Sequence, residues 1–328
     1  GETYDFHLGF LLAAIGMLFG LIVYVGTGKK HFPKKSFQLV DEIKKNEVKS
    51  MLVKSGFSVI IFLSLILAMY LLKVASFSNI IILISSIIII IPVYLFYDML
   101  SSNKITKTEK NRLLAYIPLF FAGICLWTIQ EQGSTTVFFF AINHVELGLF
   151  PKSWINTLNP LFIIFLIPFF VYLWNKLGKN QPSYPVKFIC GLLFLGISFL
   201  TLIFPAFLGS LSIKSSVLWI FLSYFLCVIA ELLISPVGSS LTNKIAPIPF
   251  KGRLMSIWLL ANATAQSINA ITANFFISNE AIFFTINGLI PIILAVIILL
   301  NLKKIKEKLN PEKNLPQKKS EKNLMTRL

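Results

Sequence analysis

The chain has 328 residues, of which 56% are hydrophobic and only 13% charged, with 31 Phe and a mean hydropathy of +0.78. A soluble domain carries about a quarter charged residues, so the composition excludes an ordinary soluble protein and leaves an all-α polytopic membrane protein. The formal net charge of +16 invites a nucleic-acid partner, but the placement of the charges argues against one.

In chain order, nine apolar stretches read as spans: 9–27, 56–74, 79–97, 113–142, 160–175, 187–208, 216–236, 254–276 and 281–301. Most approach the ~20 residues that a helix needs to cross the hydrocarbon core. The first lacks a basic leader and a small-residue cleavage site, so it is not read as a signal peptide. The tail from 302 reads as a short helical extension followed by disorder, because it is charged and poor in apolar residues after Leu309.

The lysines set the orientation. Eight basic residues lie between the first two spans, and the loops 98–112, 176–187 and 237–253 and the tail bring the total in alternate segments to 27 of 30. The other loops hold only Lys73, Lys152 and Lys214. Such alternation is the positive-inside pattern, which places the C-terminus in the cytoplasm and the N-terminus outside. The basic charge is thus a topology signal and a weak attraction to anionic lipid, without the basic–aromatic surface that a nucleic acid requires. An odd number of spans with an outside N-terminus, and a first residue that is Gly1, leads to the expectation that upstream helices are absent.

Of fourteen acidic residues, only Glu131 and Glu231 lie well inside spans, and no Lys or Arg lies deep in any. Ionised groups in hydrocarbon cost a few kcal/mol or more, so they face a bundle interior or a watery cavity and normally pair. Desolvation favours the neutral form of a carboxyl and a nearby cation the charged form; a carboxyl balanced between them can take and release a proton. Each glutamate can instead simply hydrogen-bond a neighbouring helix.

Four polar patches mark the spans. WTIQEQGSTT (127–136) sets Trp127 and Glu131 four residues apart on one helical face, an indole wall beside an acid. TLNPLF (157–162) places Asn159 before Pro160 at a span start, which also suits an ordinary first helical turn. ELLISPVGSS (231–240) follows Glu231 with Pro236 and Gly238 and predicts a kinked or loosened helix. In WLLANATAQSINA (258–270), Asn262, Gln266 and Asn269 share a face and line either a lumen or another helix, with helix–helix bonding at least as favoured.

Other chemistry finds no support. Cys125, Cys190 and Cys227 fall in apolar runs and read as small hydrophobes, not as disulfide partners. His7, His31 and His144 are scattered and share no ligand spacing, and GTGKK (26–30) lacks the phosphate-loop spacing. No enzyme, metal or cofactor is expected. A carrier bundle with two intramembrane carboxyls is favoured over a channel, a membrane enzyme or an assembly subunit.

The motifs LWTIQEQGSTT, WINTLNPLFIIFLIPFF, AELLISPVGSSLTNKIAP and GRLMSIWLLANATAQSINA together resemble the second half of proton-dependent oligopeptide transporters. The opening HLGFLLAAIGMLFGL resembles that family's sixth helix, and the match covers most of residues 8–276. The resemblance implies a major-facilitator fold with alternating access. Residues 1–28 would hold helix six, 29–55 a basic cytoplasmic linker, 56–98 an inserted hairpin, 99–112 a cytoplasmic loop, 113–301 helices seven to twelve, and 302–328 the cytoplasmic tail.

The resemblance also implies roles. Glu131 corresponds to the proton-coupling acid, Trp127 to the pocket tryptophan before it, and Asn159 to a contact with the peptide backbone. Glu231 corresponds to the acid that faces the peptide amino terminus, with Ser235 one turn beyond, and Trp258 to a pocket residue. The family's E-x-x-E-R motif, helix-one tyrosines and helix-four lysine have no counterpart, so the partner cations are expected on missing helices one to five. The expected function is part of a proton-coupled di- and tripeptide symporter of the bacterial plasma membrane, inactive without its first half. Expected partners are di- and tripeptides, protons, the lipid bilayer and those helices. Alternatives are a carrier of nitrate or another small solute in the same family, and a non-transporting subunit or degenerate fragment.

Overall fold

The computed structural model describes residues 6–31, 45–148 and 150–309. The chain divides into two compact units, residues 1–76 and 77–328. In the first, α1 (Phe6–His31) and α2 (Lys45–Leu71) are continuous helices, and the side chains of α1 from His7 to Thr27 are exposed. The boundary at 76 falls inside the predicted 56–98 hairpin. Residues 32–44 of the predicted 29–55 linker, and the tail beyond 309, lie outside the described residues, whereas 29–31 end α1 and 45–55 belong to α2.

The second unit holds α3 (Phe77–Ser101), α4 (Lys107–Gln132), a π-helical turn (Gly133–Val137) and α5 (Phe138–His144). There follow α6 (Leu158–Leu177), α7 (Tyr184–Leu200), α8 (Ile203–Ser210), α9 (Leu218–Ile245), α10 (Lys251–Ser278), α11 (Glu280–Leu300) and α12 (Leu302–Leu309). Every predicted span is helical. Among the described residues seven stretches are long and apolar enough to cross a membrane; α2 and α10 are not among them. The side chains that lower the hydropathy of α10 are the amides and hydroxyls of its polar face.

Local sequence explains the helix ends. Thr106 and Glu109 form a reciprocal capping box at the start of α4, and Asn279 accepts the Ile282 N–H to open α11. The span predicted at 187–208 divides at Thr201, where the hydroxyls of Ser198 and Thr201 bond to carbonyls one turn back and a new helix begins at Ile203. One two-residue parallel pairing, β1 (Val145–Glu146) with β2 (Ser215–Ser216), ties the end of α5 to the segment before α9. Beside it, His144 Nε2 lies 3.1 Å from Glu280 Oε2 and joins α5 to α11.

Proline does not break the bundle. Pro92, Pro118, Pro168, Pro236 and Pro291 all sit inside helices. At Pro236, where the sequence predicts a kinked or loosened helix, α9 runs as one helix from Leu218 to Ile245. A proline removes one backbone bond, and inside a packed bundle the remaining ladder holds the turn. Just beyond Pro236, Ser239 and Thr242 donate to the Ser235 and Gly238 carbonyls, not to the Leu232 carbonyl that Pro236 leaves without its helical donor.

Packing, not water exclusion, must hold such helices together, because lipid tails are as apolar as leucine. In the second unit α7 packs against both α9 and α11, and α4 packs against α9 and α10. The α7–α11 approach depends on two glycines. A Cβ on Gly196 would stand 2.5 Å from the Gly288 carbonyl oxygen, and one on Gly288 would stand 3.0 Å from the Gly196 oxygen. Alongside, Phe284 meets Phe140 at 5.0 Å and Phe199 at 5.6 Å between ring centroids, both edge-on. At the other end, α3 is fixed to α10 by the Asp98–Arg253 ion pair.

Because the atom opposing Gly196 is backbone, Gly196→Ala should force the two helices apart. The expected cost is about 1–3 kcal/mol, read as a lower thermal unfolding midpoint in detergent. An unchanged midpoint would mean that the contact is looser than this geometry.

Candidate functional site

The site begins where α4 passes into the π-turn. An α-helix turns 100° per residue, so three successive side chains fan outward in different directions. Gln130 reaches α9, whereas Glu131 and Gln132 reach α10. The extra residue of a π-turn redirects the side chains on either side of it, and such turns recur at functional sites. Gly133 and three hydroxyl residues permit the wide turn here. Ser134 and Thr135 bond back to the Glu131 carbonyl, and the buried Tyr224 of α9 donates to the Gly133 carbonyl at 2.6 Å.

Glu231, on α9, accepts from the Gln130 amide at 2.9 Å and from the Asn159 amide at 3.4 Å, both on Oε2. The thiol of Cys227, one turn earlier on α9, donates to Gln130 Oε1 at 3.0 Å and fixes that amide's orientation. Asn159 lies in the first turn of α6 beside Pro160. Glu131 accepts from Asn262 of α10 at 2.8 Å. Neither carboxyl forms an ion pair among the described residues. Both are held by neutral donors alone.

The α10 face splits in two. Asn262 and Asn269 are half-buried against α4, with Asn269 donating to the Thr128 carbonyl at 3.0 Å and accepting from Gln132 at 2.9 Å. Gln266 is exposed. Trp258 is 3% exposed, inside the bundle. Its six-membered ring sits where Cβ atoms on Gly123 of α4 and Gly238 of α9 would stand, at 2.8 Å and 2.2 Å. Its indole N–H donates to Ser239 at 3.0 Å.

Of the six residues singled out from the sequence, Asn159 and Glu231 meet directly, whereas Glu131 is joined to Asn262 of α10. Trp127 and Ser235 are half-buried one turn from the two acids, and Trp258 lies behind them in the core. Sequence reasoning missed Gln130, Cys227, Tyr224 and Asn262 as direct partners of the acids or of the π-turn. Gln130 adjoins Glu131 in a polar patch, which is a visible signal. Cys227 and Tyr224 lie in a plain apolar run and give none.

A sequence model described as the POT family matches residues 1–289. An uncharacterized transporter of Bacillus subtilis (strain 168) is 42% identical over 305 residues, covering 92% of this chain and 61% of that protein. A di-/tripeptide transporter of Lactococcus lactis subsp. cremoris is 38% identical over 310 residues, covering 92% and 62%. A crystal structure of a peptide transporter, POT, in complex with sulfate superposes with a TM-score of 0.80 at 38% identity, covering 94% of this chain and 63% of that one. A second, of a POT family transporter in complex with 5-aminolevulinic acid, gives 0.76 at 35%, covering 92% and 63%. The chain spans a little over six-tenths of the length of these relatives.

The Tyr224 hydroxyl is the one side-chain donor that reaches the π-turn from another helix in the described residues. Tyr224→Phe leaves a buried carbonyl short of a partner, and should cost about 1–3 kcal/mol in thermal unfolding. Full retention of stability would show that the turn satisfies itself.

Proposed function

The chain belongs to the POT family, and from that membership we propose that it forms the C-terminal part of a proton-coupled di- and tripeptide symporter working by alternating access. Its fold is the all-α, major-facilitator-type helical bundle, and it is a multi-pass membrane protein. The lysine distribution supports a bacterial plasma-membrane location with the C-terminus in the cytoplasm.

One observation carries the reading: among the described residues, two carboxyls inside apolar helices are held only by amides. An amide has a donor and an acceptor end, so it can serve a carboxylate or, turned over, a protonated acid. A carboxyl held this way can change protonation without losing its partner. That property suits Glu131 to couple a proton. Glu231 keeps acceptor capacity beyond Gln130 and Asn159, which a peptide's ammonium terminus can take with charge-assisted bonds. Asn159 would then be free to contact the peptide backbone. Trp127 would wall the site and Ser235 would border it. Trp258 enters as a positioning residue, seated between α4 and α9 one turn from Asn262.

The cations that would complete the carboxyl pair fall, in this reading, to helices one to five. The isolated 328-residue chain should therefore give no dipeptide uptake in liposomes with an inward proton gradient. Uptake above protein-free liposomes would overturn that expectation. When the chain is joined to those helices, Glu131→Gln should abolish gradient-driven uptake while leaving part of the counterflow exchange. Gradient-driven uptake at the parent rate would remove Glu131 from proton coupling.

A further inference from the structure

At the basic end of the second unit lies a cavity of ≈ 690 Å³ unrelated to the carboxyl site. It opens between the end of α6, the 178–183 connection, the first turn of α7 and the last turns of α9. Two lysines line it. Lys187, only 9% exposed, holds its Nζ 3.8 Å from the centroid of the Trp174 ring and donates to Gln181 at 2.8 Å. Lys244 places its Nζ 5.4 Å from the Tyr184 ring centroid. No carboxylate lines the cavity, and neither lysine forms an ion pair among the described residues. The Ser183 hydroxyl, also on its wall, has no hydrogen-bond partner among the described residues.

Lys187 is a buried cation without a carboxylate, which is costly, and an aromatic face offsets only part of that cost, whereas Lys244 is exposed. This cavity therefore calls for an anion. Its neighbour says which kind. A second cavity of ≈ 490 Å³ shares Phe170 and Trp174 with the first, and is walled only by apolar side chains and the Cys190 thiol. A ligand that spans both must carry negative charge at one end and hydrocarbon at the other.

We propose that the two cavities form one site for an anionic phospholipid. The phosphate lies between Lys187 and Lys244, and an acyl chain passes Phe170 and Trp174 into the apolar cavity. Both lysines stand at helix ends, where headgroups lie and where a lysine attracts anionic lipid most strongly. The geometry explains why Lys187 can sit under an aromatic ring without a carboxylate partner.

Native mass spectrometry of the detergent-purified chain tests this with dioleoyl phosphatidylglycerol, dioleoyl phosphatidylcholine and glycerol 3-phosphate. Phosphatidylglycerol adducts should survive activation that strips phosphatidylcholine, and glycerol 3-phosphate should not compete. Lys187→Gln/Lys244→Gln should weaken phosphatidylglycerol binding about thirtyfold, and Lys244→Gln alone about fivefold. The corresponding double arginine variant should retain binding. If circular dichroism shows the double glutamine variant to be unfolded, the single variant and a Cys190→Trp filling of the apolar cavity decide the question, each expected to weaken binding. Equal retention of the two lipids, undiminished binding in folded glutamine variants, or full competition by glycerol 3-phosphate would each overturn the assignment.

Discussion

A carboxyl placed among apolar helices must find its partners within the protein, because lipid offers none. In this bundle that constraint falls on Glu131 and Glu231, and both are satisfied by neutral groups. Much of the local structure follows from it. Gln130 reaches α9 while its neighbour Glu131, about 100° further round the helix, points toward α10. The π-turn that follows redirects the chain and leaves Gly133 with a carbonyl that Tyr224 of α9 fills. One segment of α4 thereby bonds to two other helices in four residues, a density of polar contacts that a plain helix does not provide.

The residues that hold the acids also explain why the arrangement persists without a cation. Amides orient a carboxyl but do not compensate its charge. Cys227 fixes Gln130 through a weak thiol donor, and Asn159 adds a longer bond from α6. Nothing in this set commits either acid to the ionised form. A lysine or arginine in the same place would do so, because a nearby cation favours the charged form.

Much of this was legible in the sequence, and the legible parts share a cause. Glu131, Glu231 and Asn159 stand out because polar residues in apolar runs are costly and therefore informative. The helices are visible because their apolar runs match the membrane's thickness, and lysine alternation marks their ends. The rest was hidden for equally physical reasons. Cys227 and Tyr224 have apolar bodies, so their polar ends are silent in composition. Gly238 invites a reading as a flexible point beside Pro236, yet its role is to lack a Cβ where Trp258 must pack. Composition cannot separate these uses of glycine, because the clashing atom lies 20 residues away on another helix. Similarly, Asn262, Gln266 and Asn269 of α10 share a face, but only packing decides that Asn262 and Asn269 turn toward α4 while Gln266 stays exposed.

Trp258 links the two halves of the site. Its indole fills the space left by Gly123 on α4 and Gly238 on α9, so the acid-bearing helices close on one side chain of α10. The same helix carries Asn262, one turn on, which bonds to Glu131. A shift of α10 would therefore disturb the seat of both acid-bearing helices and the donor to Glu131 together. Dense interiors respond to such shifts by moving between discrete packings and not by gradual deformation. A tryptophan wedged between two glycines makes a firm joint of that kind, because neither glycine can yield a side chain to relieve it. Glu131 and Glu231 are thus mechanically coupled through the packing of Trp258 against both of their helices.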